Sequence, residues 1–232
     1  MTTSLVLPCY NPAPNWELNV SGCFAQVCNA IGEKAELIIV VDGTEGTVSK
    51  ESLAYLKQTI PDLTIVQYEK NRGKGFALRE GIKIAKGDII IYTDIDFPYT
   101  IESICNIHNG LAANQYDAGI GVKNEAYYAK VPAIRRFISS FLRALIRIFL
   151  SMPITDTQCG LKGFKREVDP VFLSTTIDRY LFDLEFVRMC FKAKTYRLKA
   201  IPVQLNENVT FRKMNYRILL PEMVNFLKLL LR

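Results

Sequence analysis

Gly87-Asp88-Ile89-Ile90-Ile91-Tyr92-Thr93-Asp94-Ile95-Asp96 is the stretch on which the fold turns. A glycine suited to close a preceding helix is followed by a short run rich in β-branched residues, which ends in two carboxylates one residue apart. An apolar run without polar alternation is expected of a strand buried on both faces, as in a parallel sheet. At the end of such a strand both carboxylates can face one cavity. With no histidine or thiolate beside them they suit a hard cation, Mg²⁺ or Mn²⁺, that keeps waters and grips a diphosphate. A turn that merely ends the strand is the other reading of the same spacing.

Upstream, residues 4–7, 36–41 and 64–68 are three more short runs of this kind. They alternate with helix-compatible stretches at 16–31, 49–58 and 75–86. Strand–helix alternation predicts βαβ units, hence an α/β fold with a mostly parallel central sheet flanked by helices and ligands at the carboxyl ends of its strands. The 232 residues, 49% apolar and 22% charged, suffice for one large domain and exclude disorder or a collagen-like chain. No internal repeat or low-complexity linker forces a boundary.

Six cysteines without a C-x-x-C pair, and a single histidine, His108, offer no zinc set and read as reduced thiols of a cytosolic protein. The first seven residues are too short for a signal-peptide core before Pro8, so the start is expected to be that of a cytosolic protein. Two later apolar stretches, 131–152 and 216–231, are broken by Arg135, Arg136, Arg143 and Arg147 and by Pro221, Glu222 and Lys228. Neither offers the ~18 uncharged residues of a spanning helix.

Charge is uneven, with a balance of −5 over residues 1–120 and +11 over 121–232. The basic half is either an ordinary solvated surface or a site of attraction for phosphate or anionic lipid. Within it, Ile134, Phe137, Ile138, Phe141, Leu145 and Ile148 recur at helical spacing opposite Arg136, Arg143 and Arg147. Such a helix either packs its apolar face on the core or lies near a membrane surface. A nucleic-acid binder is disfavoured, because the acidic half would repel a phosphate backbone and no aromatic reader run is present.

Other segments concentrate chemistry. Asn71-Arg72-Gly73-Lys74-Gly75 opens a helix after a strand, with two glycines, two cations and a helix N-terminus that attract phosphate, although it matches neither a P-loop nor a dinucleotide fingerprint and taken alone is more often a capped turn. Asp42 ends the second strand and reads equally as a nucleobase contact or a turn cap. Residues 156–164 gather Asp156, Gln158 and Lys162 with two glycines, the density of a site loop. Asp183 and Glu185 lie among large apolar residues, where an unpaired charge is costly; pairing with Arg179 or Arg188 is the plain explanation, and a functional role the other.

In this order the segments resemble glycosyltransferase family 2, and within it the dolichyl-phosphate and polyprenyl-phosphate sugar transferases. The family's P-x-Y-N strand end is similar to Pro8-Cys9-Tyr10-Asn11, its second-strand aspartate to Asp42, its N-x-G-K-G turn to residues 71–75 and its D-x-D to Asp94 and Asp96. The subgroup is indicated by Arg135 and Ser139, by D-T-Q-C-G at 156–160 and by F-D-L-E at 182–185. The similarity runs over about residues 4–215. It implies a GT-A fold, a GDP- or UDP-hexose donor, a divalent metal and a polyprenyl or dolichyl phosphate acceptor at the cytosolic face of a membrane. The donor would then contact Pro8, Tyr10, Asn11, Asp42, Lys74, Asp94 and Asp96, the last two holding the metal. The acceptor would meet Arg135, Ser139, Gln158, Lys162 and Arg212, with Asp96, Asp156, Arg135 and Lys123 at the reacting centre. By the same resemblance residues 1–120 form the donor and metal half, 121–215 the acceptor half, and 216–232 a membrane-associated helix. A saccharide hydroxyl is the alternative acceptor, with Asp156 or Glu185 as base.

The chain also departs from the family pattern. Pro12 replaces the usual glutamate after P-x-Y-N, and Asp42-Gly43-Thr44 replaces D-D-G-S. Pro98 stands where related mannosyl enzymes place a metal-binding glutamine, and Lys123 where an arginine is usual. Proline has no side-chain ligand, so metal binding rests on Asp94 and Asp96 with the donor phosphates and water.

Overall fold

A computed structural model describes residues 1–43, 48–123, 127, 131, 133–207, 209 and 219–231, apart from the side chains at 135 and 219. The first half follows the expected alternation: β1 (Thr3–Cys9), α1 (Trp16–Ile31), β2 (Ala35–Asp42), α2 (Lys50–Thr59), β3 (Leu63–Tyr68), α3 (Lys74–Ile84), β4 (Ile89–Tyr92) and α4 (Ile101–Ala112). The second half adds β5 (Ala118–Lys123), α5 (Ala133–Leu145) continuing into a π-turn at Ile146–Leu150, β6 (Lys162–Lys165), α6 (Asp169–Leu173), α7 (Phe182–Ala193), β7 (Leu198–Val203) and α8 (Leu219–Leu231).

The seven strands form one sheet in the order β3-β2-β1-β4-β6-β5-β7, parallel except for β6, which runs against both β4 and β5. Both faces are covered, as the uninterrupted apolar strands predict. Leu5, Leu7, Leu37, Ile39, Ile89 and Ile91 pack into one core, while Val6, Ile38, Val40, Ile90 and Tyr92 pack into the other. Pro202 is tolerated on β7 because that strand lies at the sheet edge.

Strand order reverses between β1 and β4, which pair in parallel with Leu5 opposite Ile91. A crevice at the carboxyl ends of two such strands is the usual ligand position in open α/β sheets. Antiparallel β6 begins where β4 ends, so it delivers the 156–161 segment to the same crevice.

One local expectation is corrected. Helix α3 ends at Ile84, not at the glycine, and Gly87 instead donates its N–H to Ser4 Oγ at 2.7 Å, where the chain passes close to β1. Of the two readings of the α5 stripe, exposure describes most of it: Ile134, Phe137, Phe141 and Ile148 are 53–70% exposed, while Leu145 is partly buried against the core. Among the described side chains of that segment, only Ile146, in the π-turn, is fully buried.

Candidate active site

A cavity of about 590 Å³ opens at the carboxyl ends of β1, β2 and β4. Pro8, Cys9 and Tyr10 form its floor at the end of β1, Asp42 the end of β2, and Asp94 and Asp96 the end of β4. The second half closes it with Gln158, Gly160, Arg179 and Asp183. Burial pushes the Cys9 thiol up to about 12, so this sulfur is neutral at pH 7 and no nucleophile.

Asp42 is almost wholly buried, and its carboxylate accepts from Tyr68 Oη at 2.9 Å, Asn71 Nδ2 at 3.0 Å and the backbone N–H groups of Arg72 and Gly73 at 2.7 and 2.8 Å. It therefore fixes the 71–73 turn. The N–H groups of Gly75 and Phe76 go to the Asp178 carbonyl at 2.7 and 3.3 Å. Of the two readings of residues 71–75, the capped turn accounts for these four N–H groups, which have partners within the protein, and what the turn presents to the cavity is the Lys74 side chain. Gly73 is needed here, since its φ is +109° and a Cβ would lie 2.5 Å from the Asp178 carbonyl.

Lys74 Nζ forms an ion pair with Asp94 Oδ1. Burial, the largest single influence, pushes the Lys74 ammonium down, but Asp94, Asp183 and Asp96 together hold it above its ordinary value. On the other side of Asp94 runs Gly160, where any Cβ would overlap the Asp94 carboxylate. The Gly160 N–H donates to Tyr99 Oη at 3.0 Å. Asp183, also on the cavity wall, accepts from Tyr92 Oη at 2.6 Å and from Lys162 Nζ.

Several expected contacts lie elsewhere. Lys162 is fully buried and donates to Asp183 and to the Cys159 carbonyl at 2.6 Å, so it supports the wall and does not reach the cavity. Asp156 accepts from the Lys123 N–H at 2.7 Å and faces Lys123 Nζ at 3.6 Å, while that ammonium donates to the Gln158 carbonyl. Neither Asp156 nor Lys123 lines the cavity, nor do Asn11 and Ser139. Glu185 accepts from the N–H groups of Thr176 and Ile177, both at 2.8 Å, which fits a loop anchor and removes it as a base. The partners described for Asp183 and Glu185 are Lys162, Tyr92, the Thr176 hydroxyl and backbone N–H groups. The Arg135 side chain and Arg212 lie outside the described residues.

Sequence reasoning missed Arg179 and Tyr99 on the cavity wall and left Asp183 without a role. The signal for Asp183 was present, an acid amid large apolar residues; Tyr99 carried none.

A divalent ion would find two hard carboxylates here, Asp94 with its side chain 37% exposed and Asp96 exposed at the cavity. Among the described residues no group of three His, Cys, Asp or Glu could hold a metal. The donor set therefore fits an ion that arrives with further oxygen ligands, such as those of a diphosphate.

The family model described as glycosyl transferase family 2 matches residues 4–172. The chain belongs to that family. The dolichyl-phosphate beta-glucosyltransferase of Dictyostelium discoideum is 26% identical over 206 residues, 82% of this chain and 62% of that protein. Its Mus musculus counterpart is 31% identical over 162 residues, 66% of this chain and 50% of that protein. The Saccharomyces cerevisiae one is 25% identical over 223 residues, covering 88% and 65%. The chain thus spans between half and two-thirds of the length of these relatives.

Among solved structures, mannosyl-3-phosphoglycerate synthase from Rubrobacter xylanophilus superposes with a TM-score of 0.66 at 13% identity, covering 99% of this chain and 72% of that one. Glucosyl-3-phosphoglycerate synthase from Mycobacterium tuberculosis, in complex with Mn²⁺, UDP and phosphoglyceric acid, gives 0.60 at 14% identity, covering 94% and 73%. A mannosyltransferase from Pyrobaculum calidifontis, in complex with GDP-Man and Mn²⁺, gives 0.52 at 20% identity, covering 86% and 54%. These likenesses establish the GT-A fold.

Proposed function

We propose that this family 2 protein transfers a hexose from a GDP- or UDP-sugar to dolichyl or polyprenyl phosphate, by a single displacement with inversion. The observation that carries this is the convergence of Asp94, Asp96, Lys74 and Arg179 on one cavity at the β1/β4 switch point. Glucose is the sugar in the names of the curated relatives. A divalent ion held by Asp94 and Asp96, when bound, offsets the charge of the departing diphosphate. Lys74 and Arg179 neutralise phosphate oxygens, and the walls around Tyr99 and Phe182 hold the reactants in place.

A phosphate acceptor is anionic at pH 7 and needs no general base. That agrees with a site where Asp156 is paired to Lys123 and Glu185 is tied to backbone, which leaves the saccharide-hydroxyl alternative without either base named for it. Residues 1–120 serve the donor and metal and 121–215 the acceptor, with Arg135, Ser139, Gln158 and Arg212 toward the lipid phosphate. The exposed apolar faces of α5 and α8 support a peripheral position at the cytosolic face of a membrane. Among the described residues no helix is long and apolar enough to cross it.

The test is to incubate the protein with Mn²⁺, UDP-glucose or GDP-mannose, and dolichyl phosphate, and to look for a lipid-linked sugar. Asp94→Asn and Asp96→Asn are each expected to abolish transfer with the fold retained. Transfer to soluble saccharides but never to the lipid would overturn the acceptor; full activity of either variant in excess EDTA would overturn the metal.

A further inference from the structure

We propose that Lys74 is a resident counter-cation of Asp94 that competes with the divalent ion, so that the ion enters this site together with the donor diphosphate and only weakly without it. The inference rests on the donor reading above and adds to it a role for one residue.

The geometry is a confined one. Lys74 is the first residue of α3, and its backbone is fixed on both sides, by Gly73 donating to Asp42 and by Gly75 donating to Asp178. Its ammonium reaches across to Asp94 Oδ1, while Asp94 Oδ2 fills the space where a side chain on Gly160 would lie. Asp94 is thus paired with a cation on one side and has the side-chain-free Gly160 on the other. The Lys74 side chain is 21% exposed and that of Asp94 37%, so water screens the pair only in part.

The rest of the site gives a lone metal ion little compensation. Pro98, next to the carboxylates on the cavity wall, has no side-chain ligand, and no group of three ligating side chains exists among the described residues. An incoming divalent ion must displace or face an ammonium on one of its two carboxylates, and like charges at this range repel. A nucleoside diphosphate changes that balance. It brings oxygen ligands for the ion and anionic oxygens to which the Lys74 ammonium can turn, a charge-assisted hydrogen bond replacing the one to Asp94. By linkage, nucleotide must then tighten metal binding by the same factor as metal tightens nucleotide.

The test is a titration of Mn²⁺ followed by the electron paramagnetic resonance of the free ion, on the full chain, with and without UDP or GDP. Wild type is expected to bind Mn²⁺ weakly alone and more tightly with nucleotide. Lys74→Met is expected to bind Mn²⁺ alone roughly tenfold more tightly than wild type and to lose part of the tightening by nucleotide. Lys74→Arg keeps the charge and is expected to behave as wild type. Thermal unfolding checks that each variant folds, and Lys74→Gln is read in the same way if Lys74→Met does not. A folded neutral variant that binds Mn²⁺ alone no more tightly than wild type overturns the competition while the donor reading stands. A wild type that binds neither nucleotide in the presence of Mn²⁺ overturns the donor reading itself.

Discussion

Asp42 carries a charge into the core at the end of β2, and the protein supplies both oxygens with partners from β3 and the turn that follows it. Replacing it with alanine removes the partner of the buried Gly73 N–H, of the part-buried Arg72 N–H and of the Tyr68 hydroxyl. The expected cost is roughly 2–4 kcal/mol of stability in a denaturant titration. Because the same turn carries Lys74, the rise in melting temperature given by UDP or GDP with Mn²⁺ is also expected to shrink; an unchanged rise would separate Asp42 from the nucleotide site. Its position at a strand end could be read from sequence, but its choice between base contact and turn cap could not, since the deciding partners are brought in by the fold. Asp169 offers a second test. Burial, opposed by Arg166, pushes its carboxyl up from 3.8 to about 6, and one of its oxygens has no hydrogen-bond partner. Its folded form holds the proton more tightly than the unfolded chain does, so stability falls as pH rises from about 4 to about 6 and stays lower above that. Asp169→Asn is expected to remove this decline and to gain on the order of 1–3 kcal/mol at pH 7.5, measured by unfolding across that pH range.

The strands and the first three helices of the first half were legible because their signals are local, namely apolar runs for β1 to β4 and helix-compatible stretches between them; α4, with its Thr100 cap, went unread. The direction of β6 was not legible, since four residues ending in a lysine carry no mark of which neighbour they pair with. The periodicity of α5 gave a helix but not its environment: one stripe of apolar residues serves a core or a lipid surface equally. The role of α8 also emerges only in three dimensions. Glu222 accepts from the N–H groups of Tyr180 and Leu181 at 3.3 and 3.0 Å, just before α7 begins, and Arg188 of α7 donates to the Leu229 carbonyl. Helix α8 therefore caps the segment that presents Arg179 and Asp183 to the cavity. Glu222→Ala is expected to cost about 0.5–2 kcal/mol, as loss of a helix cap does, and to speed hydrogen exchange at the Tyr180 and Leu181 amides. Unchanged exchange there would show that α8 does not hold this lip.

At the scale of the whole molecule, the basic second half carries exposed apolar faces on α5 and α8, including Phe137 and Phe141 stacked 6.4 Å apart and Leu220, Met223 and Leu227. Two forces would bring this half to a membrane, and their sizes rank them. Burying Phe137 and Phe141 in the interface contributes roughly 1.5–3 kcal/mol each and does not depend on salt. Arg143 and Arg147 contribute about 1 kcal/mol each against an anionic leaflet, screened within a Debye length. Sedimentation with anionic vesicles is therefore expected to show binding that weakens with salt but does not vanish. Replacing both phenylalanines with serine is expected to reduce binding at every ionic strength. Changing both arginines to glutamate is expected to reduce it mainly at low salt. Neutral vesicles should discriminate further, since the arginine changes are expected to matter little there while the phenylalanine changes still do. A protein that ignores anionic vesicles at low salt would remove the membrane from this account, and with it the reason for leaving so much apolar surface on α5 uncovered.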